Sequence, residues 1–139
     1  MIASLIAQEA TATAAPGYQR PGDWLAITDM SATEGFCGLH AVFDNDSNFC
    51  AFTCAGAYTV DWGDGSAAEA FASGATAYHN YDFADLSSAT LTSLGYRQAI
   101  VQVTPQAGAS ITSINLNVKH SQSGLVSGYT TGWLDFDLN

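Results

Sequence analysis

The stretch YTVDWGDGSAAEAF, residues 58–71, leads a strand-like run into a Gly-Asp-Gly turn whose carboxylates could serve a metal or a catalytic site. In an extended chain Trp62 points to the apolar side of the strand, so its indole enters the core as the strand ends. Gly63 and Gly65 adopt positive φ at low cost, and Asp64 hydrogen-bonds its own backbone two residues on. We therefore interpret the motif as a structural corner of a β-sheet, with metal binding or catalysis as the alternatives.

The cysteine and histidine spacing offers a second chemistry, a zinc site. Cys37 and His40 form a C-x-x-H pair and Cys50 and Cys54 a C-x-x-x-C pair, which together would make a tetrahedral Cys₃His set. In an extended strand, however, Cys50 and Cys54 share a face about 13 Å apart, too far for one metal ion unless the strand bulges. We expect buried free thiols instead. Zinc, and a disulfide from Cys37 to Cys50 or Cys54, stay open as alternatives.

An acidic run suggests calcium as a third chemistry. The segment DNDSN supplies Asp44 and Asp46 as in the beginning of an EF-hand loop, but Phe49 and Ala55 replace the sharp-turn glycine and the bidentate glutamate. The EF-hand interpretation therefore fails. A looser calcium site between strands, built from Asp44, Asp46 or Asp61, remains the alternative to a solvated turn. We expect no cofactor, with calcium as the one candidate.

Catalytic signatures are weak. Asp61 with Glu69, and Asp135 with Asp137, are carboxylate pairs whose neighbours indicate surface positions, not a tuned acid–base pair. The sequence contains no nucleophile elbow and no reactive-cysteine signature. We expect no enzymatic activity.

The charge of the chain limits its partners. Thirteen acidic residues against three Lys and Arg give a net charge of −10 in 139 residues. Such a field repels phosphate backbones and anionic lipid, so neither nucleic acid nor membrane is expected as a partner. Charged residues make up only 12% of the chain, about half the usual share. The surface must therefore be covered largely by Ser, Thr, Asn, Gln and Gly.

Aromatic side chains favour an alternative binding function. Trp24, Tyr129 and Trp133 could present rings to a sugar, and the uncharged polar strands supply amide and hydroxyl partners. The competing interpretation is that tryptophans near the ends of a sandwich plug the core. An exposed aromatic row would distinguish a carbohydrate-binding module from a core plug.

The elements that must position these residues are short strands separated by Gly, Asn, Asp and Ser clusters. In one of them Ala99, Val101 and Val103 share a face and are candidate core residues. Residues 82–95 form a long connection, and a loop of this length is usually functional or carries a helical turn of its own. Strands are predicted at 23–27, 38–43, 48–54, 57–62, 68–72, 76–81, 96–104, 110–120 and 133–138.

This spacing of strands predicts an all-β protein, an immunoglobulin-like β-sandwich, over residues 23–139 with its core at about 38–120. Residues 1–22 are expected to form an N-terminal arm. The arm lacks a basic n-region, and its apolar stretch, residues 2–7, is too short for a secretory signal.

The segments YTVDWGDGS, AYHNY and YRQAIVQVT together resemble a PKD-type domain, an immunoglobulin-like sandwich marked by a Trp-Gly-Asp-Gly-Ser turn and a His-x-Tyr. The resemblance covers about residues 40–118, and residues 82–95 are an insertion relative to the family pattern. It implies that His79 hydrogen-bonds within the sandwich. The residues that match the structural motif are Trp62, Gly63, Asp64, Gly65, Ser66, His79 and Tyr81.

A second resemblance concerns the setting of the domain. The segments RPGDWLAI, GLHAVF, YTVDWGDG, GYRQAIVQVTPQAG and LNVKHSQSGL are similar to the N-terminal part of large virion proteins of aquatic and cyanobacterial tailed phages. This resemblance implies a non-enzymatic structural or adhesion module in a fibre, tail or capsid-associated protein. Its expected location is the virion or an extracellular surface. Its expected partners are further copies of itself and other virion proteins, with a host-surface glycan as the alternative.

Overall fold

The chain folds as an all-β protein. The computed structural model describes residues 17–44, 48–116 and 132–139. Two short 3₁₀ turns, Phe83–Asp85 and Ser88–Thr90, lie in the long connection at residues 82–95, in line with one of the two alternatives for it. The eight strands within the described residues are β1 (Phe36–Val42), β2 (Phe49–Ala55), β3 (Tyr58–Asp61), β4 (Glu69–Phe71), β5 (Thr76–Asn80), β6 (Arg97–Pro105), β7 (Ser113–Asn115) and β8 (Trp133–Leu138).

These strands form two antiparallel sheets. The described part of the larger sheet has the order β4-β3-β6-β1-β8, and that of the smaller sheet has the order β5-β2-β7. Strand β1 lies between β6 and β8, with Phe36 opposite Val103 on one side and opposite Leu138 on the other. Strand β2 lies between β5 and β7. The two sheets enclose a shared core, as expected of a β-sandwich.

The core forms where side-chain alternation predicts it. Ala99, Val101 and Val103 of β6 are all buried in the main hydrophobic cluster, as expected from their shared face. Phe52 contributes to this cluster from the opposite sheet, and Trp62 joins it from the end of β3. The core therefore joins both sheets and extends to the Gly-Asp-Gly turn.

The predicted strand at 23–27 is wrong. This segment forms no strand and crosses the outer face of the larger sheet. There the backbone N–H of Leu25 donates to Gln98 Oε1 at 2.9 Å, and the Gln98 amide donates to the carbonyl of Asp23 at 2.9 Å. Strand β6 already pairs with β1 and β3, so no edge is free at this position to accept another strand. The outer face of β6 is thus covered by a segment bonded to its side chains.

Each of the remaining predicted strands overlaps an observed one. In the strand predicted at 110–120, residues 110–112 and 116 are not in a strand. Its observed part is β7, and residues 117–120 lie outside the described residues. Within the described ranges no helix has the length and apolar character needed to cross a bilayer.

Candidate functional site

The Gly-Asp-Gly turn follows β3 and approaches the backbone of β6 closely. Gly63 has φ of 75°, and a Cβ added to it would lie 2.2 Å from the carbonyl oxygen of Ile100. Gly65 has φ of 88° but faces open space. Both positions therefore favour glycine through conformation, and Gly63 also through lack of room.

Asp64 is the polar centre of the turn. Its Oδ1 accepts hydrogen bonds from the backbone N–H of Ser66 at 3.0 Å and from the Ser66 hydroxyl at 2.6 Å. Its Oδ2 lies 2.6 Å from Nε2 of His79 on β5. Burial acts to raise the pKa of Asp64, but the hydrogen bonds from Ser66 and the contact with His79 outweigh it and lower that pKa.

Aromatic rings pack around this carboxylate. The indole of Trp62 is fully buried and stacks on the His79 imidazole at a centroid distance of 5.0 Å and an interplanar angle of 15°. Tyr81 meets the same imidazole edge-on at 4.7 Å, and its hydroxyl donates to the Trp62 carbonyl at 2.8 Å. Burial raises the pKa of the Tyr81 hydroxyl well above its usual range, so it remains a donor.

The order of these contacts differs from that of a catalytic triad and fits a structural role. In a Ser-His-Asp triad the histidine lies between the hydroxyl and the carboxylate and takes the proton of the hydroxyl. Here the Ser66 hydroxyl and the His79 imidazole both bond to Asp64, so the carboxylate lies in the middle. The contacts stabilise the turn and connect it to β5. The seven motif residues are thus brought together: Trp62, Gly63, Asp64, Gly65, Ser66, His79 and Tyr81.

The four zinc candidates are not brought together. Phe36 and Val42 of β1 point into the shared core, so by alternation His40 points inward and Cys37 outward. Cys37 Sγ accepts a hydrogen bond from the N–H of Thr28 on the outer face. Cys50 and Cys54 lie in the core between the sheets.

All three cysteines are buried and free. Burial raises the pKa of Cys54 to about 12, and it also raises the pKa of Cys50. Both groups therefore remain protonated and poorly nucleophilic at neutral pH.

The three calcium candidates have different surroundings. Asp44 lies in an exposed turn, and Asp46 lies outside the described residues. One carboxylate oxygen of Asp61 accepts the N–H of Gly63 at 2.9 Å. No three His, Cys, Asp or Glu side chains among the described residues are grouped in a way that could hold a metal ion.

The aromatic candidates for sugar binding do not form a row within the described residues. Trp133 packs edge-on against Phe36 at 5.3 Å as part of the core boundary. The Trp24 indole N–H donates to the Tyr96 hydroxyl at 2.8 Å, and Tyr129 lies outside the described residues. Trp133 therefore fits the alternative interpretation, a plug of the core.

Strand β8, the last strand of the larger sheet within the described residues, carries an exposed apolar surface that no motif in the sequence indicates. Asp135 and Asp137 face outward, where Arg20 Nε lies 2.6 Å from Asp135 and the N–H of Met30 donates to Asp137. Phe136 and Leu138 face inward but are 52% and 54% exposed. The alternation in WLDFDL is the signal for two faces, yet it does not tell whether the inner face is covered.

A cleft opens beside this strand, between the end of β8 and the beginning of β7. Its volume is about 120 Å³, and its walls are mostly apolar. Residues that line it include Phe36, Ile111, Ile114 and Leu138.

Comparison of this chain with protein-family models, with curated proteins and with solved structures gives no match.

Proposed function

We propose that this protein is a non-enzymatic structural or adhesion module of a bacteriophage particle that acts through subunit assembly and surface contacts. In this proposal the sandwich is of the immunoglobulin-like PKD type, and residues 1–22 are its N-terminal arm. The module belongs to a fibre, a tail or a capsid-associated protein. Its partners are other copies of itself and other virion proteins.

The PKD assignment is supported by the contacts of the turn. In the resembling family, a Trp-Gly-Asp-Gly-Ser turn and a His-x-Tyr belong to one structural motif, and here Asp64 contacts His79 while Trp62 bonds to Tyr81. Each contact joins the end of β3 in one sheet to β5 or its following residue in the other. The motif thus acts as a closure between sheets on this side of the sandwich.

The observation that carries the assembly proposal is the contrast between the two sides of the sandwich. On the β3 and β5 side, the Tyr58 hydroxyl donates to the Ala75 carbonyl at 2.6 Å and adds to the closure made by the turn. On the β7 and β8 side, Phe136 and Leu138 remain more than half exposed beside a cleft. Unpaired strand edges with exposed apolar side chains are natural docking elements.

Repetition would make such a contact effective in a particle. Many copies held side by side convert weak single contacts into firm attachment, because each further contact forms at high effective concentration. The net charge of −10 is consistent with a partner that is neither nucleic acid nor anionic membrane.

The test is the mass of the full chain by light scattering over a range of concentrations, with and without EDTA, beside a glycan-array measurement. We expect an EDTA-resistant assembly of several copies and no glycan binding. A strict monomer that binds a polysaccharide would contradict the assembly proposal and favour the carbohydrate-binding alternative. Dissociation by EDTA would place a metal ion in the interface.

A further inference from the structure

Within the described part of the chain β8 pairs on one side only, and its other edge suits an apolar segment of extended chain. We propose that its occupant is the N-terminal segment, residues 1–16, of a neighbouring copy, which adds as a further strand beside β8. This inference rests on the proposed assembly function and specifies the contact by which copies join. Addition of a strand to an exposed sheet edge is an established mode of peptide recognition.

The surface of the edge supports a strand-like occupant. Within the described residues β8 pairs only with β1, so its other side can accept main-chain hydrogen bonds. Phe136 and Leu138 line one face of that edge. The adjoining cleft of about 120 Å³ is of the size that takes a single apolar side chain. An added strand would place alternate side chains over this surface.

The composition of the segment matches that surface. Residues 1–16 include Ile2, Leu5, Ile6 and six alanines, and Glu9 is their only charged side chain. A second β8 strand would instead bring further aspartates to an edge that already has two, in a protein of net charge −10. Because like charges on neighbouring strands repel, the nearly neutral segment is the better occupant.

The point where the segment joins the fold favours a neighbouring copy. Arg20 contacts Asp135 on the outer face of β8, and Tyr18 is 76% exposed. The described chain therefore begins on the face opposite Phe136 and Leu138. Sixteen extended residues span up to about 50 Å, a length that allows exchange between neighbouring copies.

The described residue that precedes β8, Gly132, lies away from the cleft. The chain resumes at Gly132, whose carbonyl accepts the N–H of Ala41 at 2.6 Å. This position is at the beginning of β8, whereas the cleft lies beside Leu138 at the other end.

The experiment uses four full-length variants that each add one negative charge. Ile6→Glu alters the segment and Leu138→Glu alters the cleft, since an unpaired charge is costly in an apolar site. Tyr18→Glu and Leu94→Glu are the matched controls, because Leu94 is 80% exposed and lies on neither surface. Circular dichroism checks that each variant is folded, and Ile6→Glu keeps the test valid if Leu138→Glu unfolds.

Light scattering then gives the mass of each variant and of a one-to-one mixture of Ile6→Glu with Leu138→Glu. We expect the wild type and both controls to assemble, and each test variant alone to be a monomer. The mixture should double in mass, because one variant keeps its cleft and the other keeps its segment.

Three results would overturn the inference, and they are distinguishable. If both test variants assemble like the wild type, the contact lies elsewhere and only the inference fails. If both are monomers and their mixture stays monomeric, no segment is exchanged between copies. If the wild type is monomeric at every concentration, the proposed assembly function fails and the inference with it.

Discussion

Nε2 of His79 lies 2.6 Å from Oδ2 of Asp64, and this contact connects the smaller sheet to the turn that ends β3 in the larger sheet. The Trp62 indole covers one face of the imidazole. A carboxylate in the turn therefore helps to hold the two sheets together on this side, and its removal should lower the stability of the fold.

Substitution of Asp64 should destabilise the fold. Asp64→Ala removes the acceptor of two hydrogen bonds from Ser66 and the partner of His79. We expect the free energy of unfolding in urea to fall by about 1–3 kcal/mol. The control Asp85→Ala, at an exposed position, should change it by less than about 0.5 kcal/mol. Equal effects of the two substitutions would contradict the role of Asp64.

The same carboxylate should contribute to acid unfolding. The pKa of Asp64 is lower in the folded chain than its ordinary value of 3.8, so ionisation of Asp64 stabilises the fold. This contribution is complete above that value and is lost as the pH falls through the lower, folded pKa. Melting temperatures should therefore fall less steeply below about pH 5 in Asp64→Asn than in the wild type. Parallel curves for the two proteins would refute this assignment.

The two glycines of the turn should differ in their tolerance of alanine. Gly65→Ala meets only the conformational cost of positive φ, about 1–2 kcal/mol, because nothing lies near the added Cβ. Gly63→Ala also forces a Cβ against the carbonyl of Ile100. We expect it to cost more than about 3 kcal/mol in urea unfolding, or to prevent folding. A cost no larger than that of Gly65→Ala would show that the turn can move away from β6.

Gln98 should anchor the segment that crosses the outer face. The Gln98 side chain accepts a hydrogen bond from the N–H of Leu25 and donates to the carbonyls of Asp23 and Thr90. Gln98→Leu would leave these backbone groups without their partner. The expected loss of unfolding free energy is about 1–3 kcal/mol. Gln102→Leu is the control, since the contacts of Gln102 with Met30 and Phe36 are longer, at 3.5 and 3.4 Å. If Gln102→Leu lowers the free energy of unfolding as much as Gln98→Leu does, the segment does not depend on Gln98.

The core thiols should resist alkylation in the native state. Burial raises the pKa of Cys54 to about 12, and only the thiolate reacts. At about pH 8, iodoacetamide should modify Cys54 at least about a hundredfold more slowly in the folded protein than in guanidinium. Mass spectrometry of the peptide identifies the site. Comparable rates in the two states would show that Cys54 is accessible to solvent.

Local patterns in the sequence predict much of this structure. The alternation that predicts a buried face for Ala99, Val101 and Val103 depends on neighbouring residues alone, and the structure confirms it. The positive φ of Gly63 and Gly65 is likewise local, and it is observed. The buried face of a strand and a positive φ at a glycine can therefore be predicted from the sequence without knowledge of how the elements pack.

Contacts between segments that are far apart in the sequence are harder to predict from it. Gln98 lies on the face of β6 opposite the predicted core face, yet it is 2% exposed because residues 23–25 cross above it. Cys37 and His40 suggest a shared site by their spacing, but alternation places them on opposite faces of one sheet. The exposure of Phe136 depends on how far the opposite sheet extends, which no local pattern reports.

The most direct test of the assembly proposal is hydrogen exchange of the β8 amides in the full chain. Mass spectrometry of peptides that cover residues 132–139 measures this exchange at low and at high protein concentration. If copies join at the β8 edge, exchange in β8 should slow as the mass rises, while exchange in the central strand β2 stays constant. An assembly that forms while β8 exchanges at an unchanged rate would contradict the claim that β8 is the assembly surface.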